Sequence, residues 1–132
     1  MATRRVLIVD DSDLIRMIVK ISLEQAADWD VLMAASASEG LALAVSERPD
    51  AILLDVQMPD LDGPTALRAL WASPATRPIP VILVTATEDP NERRRLAELG
   101  VAGIIDKPFD PPRLADQIAS FLGWSTESCR RT

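Results

Sequence analysis

Short unbroken apolar runs alternate along this chain with longer stretches of helical period. Three runs are strong: Val6-Leu7-Ile8-Val9, Ala51-Ile52-Leu53-Leu54 and Val81-Ile82-Leu83-Val84. Two are weaker, Val31 to Ala34 and Ala102-Gly103-Ile104-Ile105. Continuous rather than alternating hydrophobicity predicts strands covered on both faces, as parallel strands are.

The intervening stretches carry helix signals. Asp13 to Glu24 holds Leu14, Ile15, Ile18, Ile21 and Leu23, and predicts a helix buried along most of its surface. Ser36-Ala-Ser-Glu39 reads as a capping box ahead of Leu41, Ala44 and Val45, with Pro49 as the stop. Pro64 to Trp71 predicts a short helix with Leu67, Leu70 and Trp71 inward. Asp89-Pro90-Asn91-Glu92 pairs an N-cap with proline at the first helical position; Leu96 and Leu99 follow, and Gly100 closes the helix. Pro111 and Pro112 open a last helix with Leu114, Ile118, Phe121 and Leu122 on one stripe, ended by Gly123. Five strands in strict alternation with five helices predict an open α/β domain with a parallel sheet and right-handed crossovers. That domain takes in residues 1–124, leaving residues 125–132 as a polar tail.

Composition narrows the functional classes. The chain has 132 residues, enough for one ordinary domain, and 48% are hydrophobic, enough for a substantial core. Twenty acidic against 14 basic residues give a net charge of −6, which argues against direct nucleic-acid binding and suits a protein that holds a cation. Histidine is absent, so imidazole catalysis and imidazole metal sites are excluded. The single cysteine, Cys129, permits no disulfide within the chain. No stretch approaches the roughly 20 apolar residues of a spanning helix, and the start lacks a signal-peptide core. These features predict a cytoplasmic protein without membrane attachment.

In open parallel sheets, ligands bind beyond the carboxyl ends of the strands. Here the apolar runs lead into Asp10-Asp11, Asp55 and Thr85, and Lys107 follows the last run. The pattern thus gathers three carboxylates, a hydroxyl and an ammonium on one edge. Carboxylates about 4 Å apart repel by roughly 4 kcal/mol at an effective dielectric near 20. Such a group needs raised pKa values or a cation, and a hard divalent ion such as Mg²⁺ fits oxygen ligands beside a phosphate. The plainer alternative for Asp10 and Asp11 is that they cap the first helix.

Val-Asp10-Asp11-Ser, Leu-Leu-Asp55-Val-Gln-Met-Pro-Asp-Leu-Asp-Gly63, Val-Thr85-Ala86 and Asp-Lys107-Pro108-Phe109 closely resemble the motifs of response-regulator receiver domains, the CheY-like superfamily of two-component signalling. The resemblance runs from about Val6 to Leu122 and implies a single flavodoxin-like domain with strand order 2-1-3-4-5. It implies that Asp55 accepts a phosphoryl group from a sensor histidine kinase or a histidine phosphotransfer protein. The metal would be Mg²⁺, with Mn²⁺ as a substitute, held by Asp11, Asp55 and the backbone carbonyl of Gln57, with Asp10 acting through metal-bound water. Lys107 would pair with the acceptor and then with the phosphoryl oxygens. Thr85 would bond the phosphoryl group and move on activation, with small Ala86 beside it. Gln57 and Thr87 would tune the lifetime of the phosphoaspartate, and Lys107-Pro108 would be a cis bond. A downstream protein would be engaged through the fourth helix, fifth strand and fifth helix, by a monomer or by a phosphorylation-dependent dimer. The resemblance also implies a signalling domain, limited to self-catalysed phosphotransfer and autodephosphorylation, rather than an enzyme.

The family's frequent aromatic at the switch position, three before Lys107, is replaced here by Ile104. Arg93-Arg94-Arg95 on the fourth helix reads as a solvated face or a partner surface, and Trp124 as a terminal anchor. Only 25 residues follow Lys107, so no DNA-binding output module is expected in this chain. Two rival functions share the pattern. One is a degenerate or constitutive receiver acting as a protein-interaction module. The other is an aspartyl-nucleophile phosphohydrolase, in which the second residue after the nucleophile is generally an acid; Gln57 cannot supply a proton there.

Overall fold

In a computed structural model that describes residues 4–56, 63–86, 88–107 and 109–124, strands and helices alternate from end to end. The strands are β1 (Arg5–Val9), β2 (Asp30–Ala34), β3 (Ala51–Asp55), β4 (Val81–Thr85) and β5 (Gly103–Asp106). The helices are α1 (Asp13–Ala27), α2 (Ala37–Glu47), α3 (Gly63–Ala72), α4 (Pro90–Ala97) and α5 (Pro111–Leu122). All pairings are parallel, in the order β2-β1-β3-β4-β5. The domain is flavodoxin-like, with the strand order the resemblance implies.

The unbroken apolar runs have the two-sided burial they predict. Leu7, Val9, Ile52, Leu54, Val81 and Leu83 point into one layer with Ala44, Ala66, Leu67, Leu70 and Leu96 of α2, α3 and α4. Val6, Ile8, Leu53, Ile82, Val84 and Ile105 point into the other with Val19, Leu23, Leu114 and Ile118 of α1 and α5. The alternation along each strand gives each layer its share of every run.

Caps and stops fall close to their sequence signals. Ser36 Oγ accepts from Glu39 N at 3.1 Å, while Glu39 reaches back one residue beyond the cap to Ala35 N at 2.8 Å. Asp89 caps α4 through Asn91 N, with proline in the first turn. Gly100 and Gly123 adopt φ of 92° and 71°, the left-handed region that glycine enters without a side-chain clash. Trp124 does anchor the end: it meets Trp29 edge-on at 5.2 Å, and the Arg4 guanidinium lies 4.5 Å over its ring.

Several boundaries and faces differ from the sequence reading. Asp55 and Thr85 are the last residues of their strands rather than the first after them, and β5 begins at Gly103 rather than Ala102. The larger difference is α1, which buries only Val19, Leu23 and Ala27 and leaves Leu14 68%, Met17 49% and Ile21 46% exposed. One helix face suffices to cover the sheet edge, so the remaining apolar side chains face outward. Val45 and Phe121 are similarly exposed although they lie on predicted inner stripes.

Two helices end on non-glycine residues in the left-handed region, Asp28 at φ 57° and Arg48 at φ 47°. Asp28 also sets a negative charge at the carboxyl end of α1, against the helix dipole. Asp28→Gly removes both penalties and should raise unfolding free energy by about 1 kcal/mol, read from the urea midpoint at unchanged slope. A lowered midpoint would contradict this account of the cap.

Candidate functional site

The sheet delivers its polar residues to one edge by register. Asp10 follows β1 and is fixed by Asp10 N donating to Ala34 O at 3.1 Å. Asp55 ends β3 opposite Val84, and Thr85 ends β4 opposite Asp106. Lys107 follows β5, its N–H donating to Thr85 O at 2.8 Å. Asp10 and Thr85 are fully buried, Asp55 is 4% exposed, and Asp11 is open to solvent.

Asp10, Asp11 and Asp55 each place a carboxylate oxygen within 4.8 Å of the others. Lys107 Nζ enters this cluster, 3.1 Å from Asp10 Oδ2 and 3.3 Å from Asp55 Oδ2. The Asp10 contact is an ion pair whose angles fall short of a hydrogen bond, so buried Oδ2 accepts none. Burial, the largest single influence on Lys107, pulls its pKa down. The close contact with Asp10 and the charges of Asp55 and Asp10 outweigh it and hold the ammonium above its ordinary value. The stabilisation from this raised pKa is therefore complete at neutral pH and is lost only as pH climbs through that alkaline value.

Asp10 and Asp11 are not the caps of α1. Ser12 is, accepting from Ile15 N at 3.3 Å, and Asp10 Oδ1 in turn accepts from Ser12 N at 2.9 Å. Asp10 thus braces the start of the helix while its other oxygen faces Lys107. Three carboxylates opposite one ammonium leave negative charge in excess, and a pair at 4.8 Å repels by roughly 3 to 4 kcal/mol at an effective dielectric of about 20. An all-oxygen cluster with one buried oxygen lacking a hydrogen bond and one carboxylate open to solvent fits a hard divalent cation.

The structure brings together Asp10, Asp11, Asp55 and Lys107, and sets Thr85 at the end of the strand next to Asp55. Ala86 follows β4 and is exposed. Ile104 is half-buried and packs on the α2–α3–α4 side of the sheet. Gln57, Thr87, Pro108 and Cys129 lie outside the described residues, as does the polar tail. The arginine run divides: Arg93 pairs with Asp106 at the end of β5, while Arg94 and Arg95 are exposed. Arg16 was not singled out by sequence, yet its Nη1 donates to Asp10 O at 2.7 Å and its guanidinium pairs with Asp13. The i,i+3 spacing of Asp13 and Arg16 is the one signal that could have found it.

A doubly wound parallel sheet with aspartates, a threonine and a lysine at the carboxyl ends of its strands is a CheY-like flavodoxin fold with an acidic switch-point site. The chain belongs to the response regulator receiver domain family, whose model matches residues 6–119. It is 34% identical over 121 residues to the polar-differentiation response regulator DivK of Brucella ovis, covering 92% of this chain and 98% of that protein. It is 37% identical over 116 residues to response regulator PleD of Caulobacter vibrioides, where 88% of this chain spans only 25% of that protein. Among solved structures, chemotaxis protein CheY4 of Vibrio cholerae superposes with a TM-score of 0.82 at 32% identity, covering 91% of this chain and 99% of that one. The chain is thus a receiver domain of two-component signalling, a signalling domain. Receiver domains bind Mg²⁺ at an acidic pocket, and the described residues hold such an aspartate cluster. No helix among the described residues is long and apolar enough to cross a membrane.

Asp11 contributes repulsion from an exposed position, so its charge is partly screened. Asp11→Asn should raise metal-free stability by about 1 kcal/mol. It should also abolish most of the gain in melting temperature that Mg²⁺ gives the unaltered chain. Equal Mg²⁺ stabilisation of both proteins would exclude Asp11 from the cation site.

Proposed function

We propose that Asp55 accepts a phosphoryl group from a phosphohistidine on a sensor histidine kinase or a histidine phosphotransfer protein, and that the domain relays this event to a partner. The observation that carries the reading is Lys107 Nζ, held 3.1 and 3.3 Å from the buried carboxylates of Asp10 and Asp55. A carboxylate oxygen of Asp55 attacks phosphorus in line, the P–N bond of the donor breaks, and its electron pair returns to the imidazole. Asp55 needs no general base, because it reacts as the carboxylate. Lys107 follows the charge from the carboxylate onto the phosphoryl oxygens, and its raised pKa keeps it protonated throughout. Thr85 supplies a hydroxyl at the end of the neighbouring strand. Asp10, Asp11 and Asp55, with the backbone carbonyl of Gln57, would hold Mg²⁺, or Mn²⁺ in its place, which neutralises oxygen charge on the transferring group. Ala86 leaves room for the group, and Gln57 and Thr87 tune how long the phosphoaspartate lasts.

The receiver unit takes in residues 1–124. Its output runs through α4, β5 and α5 to a downstream protein, with Ile104 and Thr85 as switch residues, in a monomer or a phosphorylation-dependent dimer. The absence of an acid at Gln57 favours a single accepted group over the repeated turnover of a phosphohydrolase.

Incubation with Mg²⁺ and acetyl phosphate, followed by intact mass, should show one added phosphoryl group. The label should vanish in Asp55→Asn and with excess chelator; undiminished labelling of Asp55→Asn would refute the assignment. Lys107→Ala should still be stabilised by Mg²⁺ yet label at least about tenfold more slowly, the cost of losing a positioned cation beside developing charge. An unchanged labelling rate would show that Lys107 is dispensable.

A further inference from the structure

The stripe of α1 that packs on the sheet is apolar at Val19, Leu23 and Ala27. Its register continues back to position 16, where an arginine stands with a side chain only 15% exposed. A guanidinium in such a place needs partners. Both of its partners lie at the acidic edge: Nη1 donates to the backbone carbonyl of Asp10 at 2.7 Å, and Nη2 pairs with the Asp13 carboxylate. The planar fork sends these two bonds out in fixed directions, which a lysine ammonium cannot do. Asp13 is 94% exposed and balances the charge from the solvent side. The backbone N–H of Arg16 also donates to Ser12 O at 3.1 Å, so this one residue grips the loop on both sides of Asp11.

We propose that Arg16 is a positioning residue, which fixes the peptide between Asp10 and Asp11 and so keeps the Asp11 carboxylate within reach of the cation. The role rests on Asp10, Asp11 and Asp55 holding Mg²⁺. Asp10 has other restraints, since its N–H donates to Ala34 O, its Oδ1 accepts from Ser12 N and Lys107 faces its Oδ2. Asp11 is open to solvent, so the direction of its side chain depends on the peptide plane that leads into it. Turning that plane swings the Asp11 oxygen away from the two carboxylate oxygens that now lie within 4.8 Å of it. The charge of Arg16 acts in the opposite sense, because a guanidinium beside a cation site repels the cation. Removing Arg16 therefore loosens Mg²⁺ if the brace dominates and tightens it if repulsion does. Asp13 already offsets much of the repulsion, so the brace dominates.

The test is Arg16→Met, which keeps an aliphatic stem on the buried stripe and removes the fork. Mg²⁺ binding to the whole chain is measured by calorimetry, under conditions where circular dichroism shows each protein folded. The Kd for Mg²⁺ should rise about tenfold, the usual loss when a group that orients a metal ligand is removed. The Mg²⁺ concentration for half-maximal labelling by acetyl phosphate should rise in proportion, with the rate at saturating Mg²⁺ within about twofold of the unaltered chain. A merely structural role would lower the metal-free melting temperature and leave the Kd where it was. Binding as tight as in the unaltered chain, or tighter, overturns the positioning role. Should Arg16→Met fail to fold, Arg16→Lys decides in its place, because it keeps the charge and loses the fork. A Kd raised about threefold or more then supports the role, and an unchanged Kd overturns it. Failure of the unaltered chain to take up Mg²⁺ would sink the cation site, and the role of Arg16 with it. Mg²⁺ uptake without labelling would sink only Asp55 as acceptor, since the ratio of Kd values does not depend on phosphoryl transfer.

Discussion

One ammonium shared between two buried carboxylates organises the carboxyl edge of this sheet. Lys107 reaches Asp10 from β1 and Asp55 from β3 across the width of β4, so the ends of three strands, β1, β3 and β5, are tied through a single side chain. Burial alone would lower the lysine's pKa, and like charge alone would push the aspartates apart. Each defect offsets the other, and the balance holds only while the strands keep their register. A one-residue slip in β3 would turn Asp55 onto the other face of the sheet and leave Lys107 facing a leucine.

That dependence explains why the site was legible in the sequence at all. Unbroken apolar runs at residues 6–9, 51–54 and 81–84 force strands with both faces covered, and a polar residue at the end of such a run has nowhere to go but the edge. Asp10, Asp55, Thr85 and Lys107 follow from this, and the family motifs give their order. What stays hidden is local competition for partners. Asp and Ser are both good caps, and nothing in Asp10-Asp11-Ser12 says that the serine takes the helix while Asp10 braces it. Nor does an all-round apolar segment say which face the sheet will cover; in α1 that face is Val19, Leu23 and Ala27.

The fifth strand shows a similar limit. Ile104 gives this strand no ring of its own, and Phe121 of α5 lies so close over Gly103 that an added Cβ would sit 2.5 Å from its ring. Gly103 and Ile104 point to opposite sides of the sheet, so this ring covers the α1–α5 side while Ile104 packs toward α4. Phe121 cannot stand in for an aromatic at position 104. On that side Ile104 packs in the α2–α3–α4 layer, and the Arg93–Asp106 pair joins α4 to the residue beside Lys107. An exposed pair of this kind contributes about 0.2 to 1 kcal/mol, a small bias suited to adjusting an equilibrium rather than locking it.

The aromatic clasp of Arg4, Trp29 and Trp124 carries a consequence of a different kind. Trp29 precedes β2 and Trp124 follows α5, so both indoles sit at the amino edge, and Trp71 near the end of α3 joins them there. A five-residue strand, about 16 Å long, separates that edge from Asp55. All three tryptophans of the chain are therefore remote from the acidic cluster. Intrinsic emission will follow the melting of the clasp and of the core, but it will be nearly blind to an ion or a phosphoryl group at the far edge. The protein is optically silent at its acidic edge.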